Sequence, residues 1–399
     1  MKVIKKLFEY SLALLFHFIP RDKHIWLTGK PTPWGYGTFT PPDFFDNAKY
    51  FFLYLVNNTS EKVFWVSSSQ SEIELLKNYG LPYLKYGTPR YYFYTLRAKY
   101  FFHHYGIGQI NPILQANSIQ IDFWHGTPLK KIRYDVVPKF DTKMNFLARF
   151  LGVNKTEYVA STSEYLSKTI LARAFAVPEA HCFNFGYPRT DILKSSKAEA
   201  KDFCEKYTHE LLPYIALCEK YKKVLLYMPT WRDDAPDYFS HADIDFEKLN
   251  EKLKELNFAF FLKLHPLTKN VSVSQYSNIF QIHNAVDMYP FLVFTDFLIT
   301  DYSSIYFDYL LTDKEIIFVP YDFENYTKNR QLYFSYDEIT PGAKYRNFGD
   351  FIHALSEIER LDFSAERKRI RDLLIANYNY DACEQTYRYF TGRGNRNEK

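Results

Sequence analysis

Twice along the chain, short apolar runs alternate with segments whose apolar residues recur at helical spacing. In the first half, residues 24–28, 62–67 and 97–102 read as strands, and residues 43–57 and 71–79 as helices, with further alternation as far as Gly186. A second set follows, with strands at 223–228, 259–263, 297–300 and 316–320 and a helix at 246–256. Strands that alternate with helices can close only into mainly parallel sheets covered by helices on both faces. With 399 residues the chain also exceeds one comfortable core, so two domains are expected. The expected boundaries are an amino-terminal helix at 1–20, one α/β domain at 21–191, linker helices at 192–220, a second α/β domain at 221–390 and a frayed tail at 391–399. The turn Gly186-Tyr187-Pro188-Arg189-Thr190-Asp191 reads as the close of the first domain.

Composition narrows the class. A hydrophobic content of 47% with 19% aromatic residues describes a packed globular protein. Fifty basic against 46 acidic residues leave a net charge of +4, which suits an anionic substrate or membrane surface. No basic face with interleaved stacking aromatics stands out, so no nucleic-acid partner is expected. The four cysteines, Cys182, Cys204, Cys218 and Cys383, lack Cys-x-x-Cys spacing and fit reduced thiols in the cytoplasm. At the amino terminus, the apolar stretch 10–19 is broken by Ser11 and His17 and stopped by Pro20. It is shorter than the ~20 residues a spanning helix needs, and no small-residue cleavage site follows. Two readings stand. Lys2, Lys5 and Lys6 could meet anionic headgroups while Leu7, Phe8, Leu14, Leu15 and Phe18 enter the interface, or the helix could pack on its own domain.

Polar clusters fall where these strands end, which is where ligands bind in doubly wound sheets. After Phe297-Leu298-Ile299 come Thr300-Asp301-Tyr302-Ser303-Ser304, and a helical pattern resumes at Ile305, Tyr306, Tyr309 and Leu310. Hydroxyls at such a helix start suit an anion, or simply cap the helix. After strand 119–123 comes Trp124-His125-Gly126-Thr127-Pro128-Leu129-Lys130; Gly126 relaxes the backbone, and Thr127 and Pro128 suit a helix start. His125 could accept a proton from an attacking hydroxyl, or be tied into its loop. Arg232 in Pro229-Thr230-Trp231-Arg232-Asp233 offers a planar fork for phosphate. Asp233, Asp234 and Asp237 read as a solvated loop or arginine partners; no histidine completes a ligand set, so no metal is expected. His265 ends a further strand, and backbone could equally satisfy it.

Together, Trp124 to Lys130, Pro229 to Asp233, Leu264-His265-Pro266 and Thr300 to Ser304 resemble, in order and spacing, the CDP-glycerol glycerophosphotransferase family of teichoic acid and capsule polymer primases and polymerases. Phe307-Asp308-Tyr309 and Phe318-Val319-Pro320-Tyr321-Asp322 strengthen the resemblance, which covers roughly residues 24 to 390. It implies a GT-B-type α/β fold, two doubly wound Rossmann-like domains facing a central cleft, the first for the acceptor and the second for the CDP-linked donor. On that resemblance His125 is the base or an acceptor-side catalytic residue, and His265, the second catalytic histidine, sits by the donor pyrophosphate. Thr300, Ser303 and Ser304 cradle it, with Thr230, Arg232 and Lys263 on the donor side and Gly126, Thr127 and Lys130 on the acceptor side. Asp308 either accepts hydrogen bonds from a ribose or faces solvent on its helix. The implied reaction moves a polyol phosphate, glycerol 3-phosphate foremost, from CDP-glycerol to a hydroxyl of a lipid- or glycan-linked acceptor, releasing CMP. No cofactor is implied beyond the CDP-linked substrate, and the implied place is the cytoplasmic face of the cell membrane, peripherally bound. A sugar transferase using a CMP- or UDP-sugar and a non-catalytic module for anionic polymers are the alternatives. The chain departs from the family pattern at Asp122-Phe123 and at Asp381-Ala382-Cys383-Glu384, and lacks the long extra amino-terminal module of some polymerases. Glycerol versus ribitol and primase versus polymerase stay open.

Overall fold

A computed structural model describes residues 2–16, 19–29, 44–104, 111, 113–116, 118–136, 158–230, 232, 242–265, 272–329, 331–376 and 378–392. The chain divides into two compact units. The first holds Met1–His125, Arg133–Asp191 and Asn377–Lys399; the second holds Gly126–Ile132 and Ile192–Ala376.

In the first unit, β1 (Asp22–Gly29), β2 (Lys62–Ser67), β3 (Tyr83–Lys85), β4 (Ala98–His103), β5 (Ile119–Asp122), β6 (Tyr158–Ala160) and β7 (Cys182–Phe183) form one sheet in the order β3-β2-β1-β4-β5-β6-β7. Every pairing in it is parallel. The central strands are apolar on both faces because helices cover both. Trp26 on β1 is fully buried and stacks on Tyr100 of β4 with ring centroids 4.0 Å apart.

The second unit repeats the plan with β8 (Lys223–Tyr227), β9 (Phe258–Lys263), β10 (Ile279–Ile282), β11 (Phe297–Thr300), β12 (Glu315–Phe318) and β13 (Ala343–Lys344), in the order β10-β9-β8-β11-β12-β13. All its pairings are parallel too. The helix Phe246–Leu256 lays Leu249 and Leu253 into a core with Leu225, Phe260, Leu262, Ile299 and Phe351. In each sheet the connection direction reverses beside the first strand, at β1/β4 and at β8/β11, and the carboxyl ends of such a pair are where this architecture binds ligands.

One expected boundary moves. The second domain was expected to run to residue 390, yet residues from Asn377 onward belong to the first unit. The physical reason is a long-range helix cap. Asp191 accepts from the backbone N–H of Ala382 at 3.0 Å and of Cys383 at 2.9 Å, so its carboxylate sits on the amino terminus of the helix Ala382–Thr391. The same carboxylate accepts from the Tyr378 hydroxyl at 2.7 Å. Farther along, Tyr387 lies among Trp26 and Tyr54 and donates to Glu61 at 2.9 Å. Gly186 makes room for this return: its φ is +88°, and a Cβ there would meet the Tyr378 ring at 2.4 Å. The linker segment 192–220 is likewise part of the second unit, as the helices Lys197–Tyr207 and Leu212–Cys218.

The amino-terminal segment is a helix, Lys2–Leu15. The helix packs on its own domain along one side, where Tyr10 and Ala13 are buried and Leu12 and Phe16 pack on the core, while Leu7, Phe8, Leu14 and Leu15 are exposed. Phe18 lies outside the described residues.

Candidate active site

His125 owes its place to the level ends of β4 and β5. His103 and Asp122 are register partners, and Phe123 N–H donates to the His103 carbonyl at 2.8 Å. Asp122 then accepts from Trp124 N–H at 2.8 Å, which turns the chain sharply; Trp124 adopts φ +53°, a left-handed conformation costing about 1 kcal/mol or more. That turn brings the half-buried His125 ring against Trp124, with centroids 3.9 Å apart. The His125 Nδ1 lies 3.3 Å from the His104 carbonyl. A carbonyl can only accept, so Nδ1 carries the proton and the lone pair stays on Nε2. Burial lowers the His125 pKa below its ordinary value; Asp46, the His104 carbonyl and Asp122 raise it, and Arg189 lowers it further. The ring is therefore neutral near pH 7, the form a general base needs.

Asp46, Asn47, His103, His104, Asp122 and Arg189 surround this position, all buried. The His103 Nδ1 lies 3.5 Å from Asp122, whose other oxygen lies 3.6 Å from Arg133. Burial pushes the His104 pKa down to about 4. Sequence reasoning passed over Asp46, Asn47, His103, His104 and Arg189. The His103-His104 pair directly after a strand was the available signal, whereas nothing local marks Asp46 or Arg189.

The chain leaves the first unit directly after His125, because Gly126–Ile132 belongs to the second. There Lys131 N–H donates to the Gln331 carbonyl at 2.9 Å, and Tyr333 N–H to the Leu129 carbonyl at 2.9 Å. Lys130 holds its ammonium 5.3 Å from the Tyr326 ring centroid. Gly126, Thr127 and Lys130, expected on the acceptor side, thus group with the other unit. The reason is this backbone pairing with residues 331–333.

The β8/β11 switch point of the second unit is laced together by the residues expected to hold phosphate. Met228 N–H donates to the Ile299 carbonyl at 2.9 Å, and the Thr300 hydroxyl donates to the Met228 carbonyl at 2.7 Å. Thr230 N–H donates to Asp301 at 2.8 Å. Arg232 is only 4% exposed, and its fork is taken by carboxylates: Nη2 to Asp301 at 2.9 Å, Nε to Asp322 at 2.7 Å and Nη1 to the Thr230 carbonyl at 2.7 Å. Its plane lies near the Tyr302 and Tyr326 rings, which stack on each other 3.9 Å apart. Arg232 was expected to neutralise phosphate. Instead its charge is taken by Asp301 and Asp322, and it braces the loops after β8, β11 and β12. Thr300, expected in the phosphate cradle, is fully buried and holds the β8 end instead. Asp308 fits neither of its expected roles; it is buried and accepts from the Tyr289 hydroxyl at 2.6 Å.

Four expected residues keep positions from which a ligand could be met or steered. Ser303 and Ser304 are half-buried, and the Ser304 hydroxyl does not cap its own helix, Ile305–Tyr309. His265 is half-buried two residues past β9, its pKa pushed down to about 4 by burial and by the nearby Lys263 and Lys130 ammonium groups. Lys263 is buried with its pKa lowered to about 8 by burial, and donates to the Asn284 carbonyl at 2.5 Å. Asp233, Asp234 and Asp237 lie outside the described residues.

The model of one family, described as CDP-Glycerol:Poly(glycerophosphate) glycerophosphotransferase, matches residues 27–382. The teichoic acid poly(glycerol phosphate) polymerase of Staphylococcus epidermidis is 31% identical over 270 residues, covering 64% of this chain and 36% of that one. The teichoic acid glycerol-phosphate transferase of Staphylococcus aureus is 26% identical over 368 residues, covering 89% and 90%. The chain thus spans about a third of the polymerase and nine-tenths of the transferase. The solved wall teichoic acid polymerase TagF shares the fold with a TM-score of 0.75 at 22% identity, over 99% of this chain and 97% of that one, which agrees with a GT-B-type architecture. With the match running through all four strand-end motifs, the chain belongs to the CDP-glycerol:poly(glycerophosphate) glycerophosphotransferase family and is an enzyme of the transferase class.

Proposed function

We propose that this enzyme transfers glycerol phosphate from CDP-glycerol to a hydroxyl of a lipid- or glycan-linked teichoic-acid-type acceptor. The observation that carries the reading is the His125 ring just past β5, with Nδ1 3.3 Å from the His104 carbonyl and its pKa lowered by burial, which favours a neutral ring with the lone pair on Nε2. Its Nε2 takes the acceptor hydroxyl proton as that oxygen attacks the phosphorus bearing glycerol. The new P–O bond forms as the bond to the bridging oxygen breaks, and the electron pair leaves on CMP. Such a transfer needs little covalent work from the protein, only alignment and charge stabilisation. Lys130, His265, Ser303 and Ser304 in the second unit are the groups suited to the donor phosphates, with Lys263 as a buried positive charge behind His265. Incubating the protein with CDP-glycerol, CDP-ribitol, CMP-sugars and UDP-sugars tests the donor: CMP release from CDP-glycerol with an acceptor supports it, and release only from a nucleotide sugar overturns it.

No metal or cofactor takes part in this reading, because lysine ammonium and imidazole N–H groups can carry the charge stabilisation a metal would otherwise supply. Excess EDTA is expected to leave the CMP-release rate within about twofold of its untreated value. A loss restored by one added divalent cation counts against it.

The place of action is the cytoplasmic face of the membrane, where a soluble CDP-linked donor and a lipid-linked acceptor meet. No helix among the described residues is long and apolar enough to cross a membrane. What supports a peripheral mode is the exposed apolar edge of the helix Lys2–Leu15, with Leu7 at 62% and Leu15 at 70% exposure. Phe8 packs edge-on against Tyr92, next to Phe93, at 5.7 Å. Deleting the helix would uncover the core beneath Leu12 and Phe16, so point charges are the cleaner probe. Leu7→Glu with Leu15→Glu is expected to weaken binding to anionic vesicles at least about tenfold, since each buried leucine is worth roughly 1.5–3 kcal/mol. Turnover of a short soluble acceptor should stay near wild type. Unchanged co-sedimentation puts the anchor elsewhere.

A further inference from the structure

We propose that Asp46, Asn47 and Arg189 form a buried clamp that grips the peptides on both sides of His125 and so aims its ring; all three are positioning residues. The proposal rests on the reading of His125 as the base. Asn47 Nδ2 donates to the Trp124 carbonyl at 2.9 Å, and Arg189 Nη2 donates to the His125 carbonyl at 3.0 Å. Successive carbonyls at the base are therefore held by two different elements. The two holders are locked to each other. Arg189 N–H donates to Asn47 Oδ1 at 3.1 Å, and Arg189 Nη1 to Asp46 Oδ1 at 2.7 Å; the same oxygen accepts from Asn47 N–H at 2.7 Å.

The clamp stores strain at the points it holds. Asp46 sits at φ +60° and Trp124 at φ +53°, left-handed conformations that non-glycine residues keep only where surroundings over-determine them. Asp46, Asn47 and Arg189 are each at most 6% exposed, so water does not compete for these bonds. Buried hydrogen bonds among charged groups are strong and directional, which suits a holder more than a ligand. Geometry also explains the turn Gly186 to Asp191: Arg189 reaches His125, while Asp191, two residues on, caps the returning helix Ala382–Thr391.

The clamp brings two opposite charges to His125, and this separates an aiming role from mere structural support. The groups facing His125 are Asp46, Asp122, Arg189 and His104, through both its carbonyl and its imidazole; His103 lies by His104 and Asp122, and Arg133 pairs with Asp122. A general base works deprotonated, so kcat/KM falls as pH drops through its pKa. Asp46→Asn removes a negative charge, disfavours the imidazolium and should move the acid limb to lower pH. Arg189→Gln removes a positive charge and should move it to higher pH, each by about half a unit or more. The double variant should return close to wild type.

The test is the pH profile of CMP release for these three variants, with thermal melting to confirm folding and CDP-glycerol titration to confirm an intact donor site. Opposite shifts of the acid limb support the clamp. No shift, or shifts in one direction, overturns it. Since a lone buried charge could unfold either single variant, Asn47→Ala and Arg189→Lys decide independently. Each removes a carbonyl grip without removing a charge, and is expected to lower kcat at least about tenfold at unchanged donor affinity and an unmoved acid limb. If both keep kcat within twofold, the clamp is overturned. His125→Ala serves as the control for the underlying reading. If that variant remains active, the base assignment fails; if it is dead while the clamp variants are normal, only the clamp fails.

Discussion

His125→Ala should lower kcat/KM for CMP release about a hundredfold or more, while CDP-glycerol affinity stays within roughly threefold of wild type. A hundredfold is about 2.7 kcal/mol of transition-state stabilisation, the usual worth of a well-placed general base. Affinity should survive because the candidate donor groups, Lys130, His265, Ser303 and Ser304, belong to the second unit while His125 belongs to the first. His125→Gln sharpens the result. It keeps a side-chain N–H able to reach the His104 carbonyl but has no basic nitrogen, so it should be as slow as the alanine variant. Steady-state kinetics with isothermal titration decides, and a variant that retains most of its turnover removes His125 from the chemistry.

The second large effect is on stability. Arg232 is buried between Asp301 and Asp322 and within reach of the Tyr302 and Tyr326 rings. Truncating it leaves Asp301, with no exposure at all, as an uncompensated buried carboxylate. Breaking a buried pair in this way costs about 3–5 kcal/mol. For a unit of this size that lowers Tm by roughly 10 °C. Arg232→Lys should not rescue it, because one ammonium cannot serve the Asp301 and Asp322 carboxylates and the Thr230 carbonyl with the geometry of a planar fork. Differential scanning calorimetry would show the loss, and a melt of Arg232→Ala within about 2 °C of wild type would mean that the network carries little. CDP-glycerol binding is expected to fall as well, since the loops after β8, β11 and β12 lose their common brace.

The two parallel sheets were legible in the chain because their central strands are buried on both faces and so read as near-continuous apolar runs. Phe246–Leu256 and Phe297–Thr300 agree with the expected spans residue for residue. Short edge strands such as Tyr83–Lys85 and Ala343–Lys344 were missed, since two or three residues carry no period. At the site, the motifs named the right loops but not the work of each side chain. Thr300, Arg232 and Asp308 carry polar groups suited to a ligand, yet each is turned inward onto Met228, onto Asp301 and Asp322, and onto Tyr289. A polar residue beside a ligand loop and one in contact with the ligand share a sequence pattern, and only burial separates them.

What the sequence determined by itself was the class of architecture, the division near Asp191 and the strand-end motifs, because those follow from local periodicity and from residue types at fixed offsets. Tertiary structure alone decided everything that depends on residues far apart in the chain. Asp191 capping a helix that begins 191 positions later is one case. Arg189 gripping His125 across 64 positions is another, and Arg232 reaching Asp322 across 90 is a third. Hydrogen bonds and ion pairs act over about 3 Å in space, whatever the separation along the chain. Periodicity cannot encode them, and they come into being only when the sheets bring strand ends level.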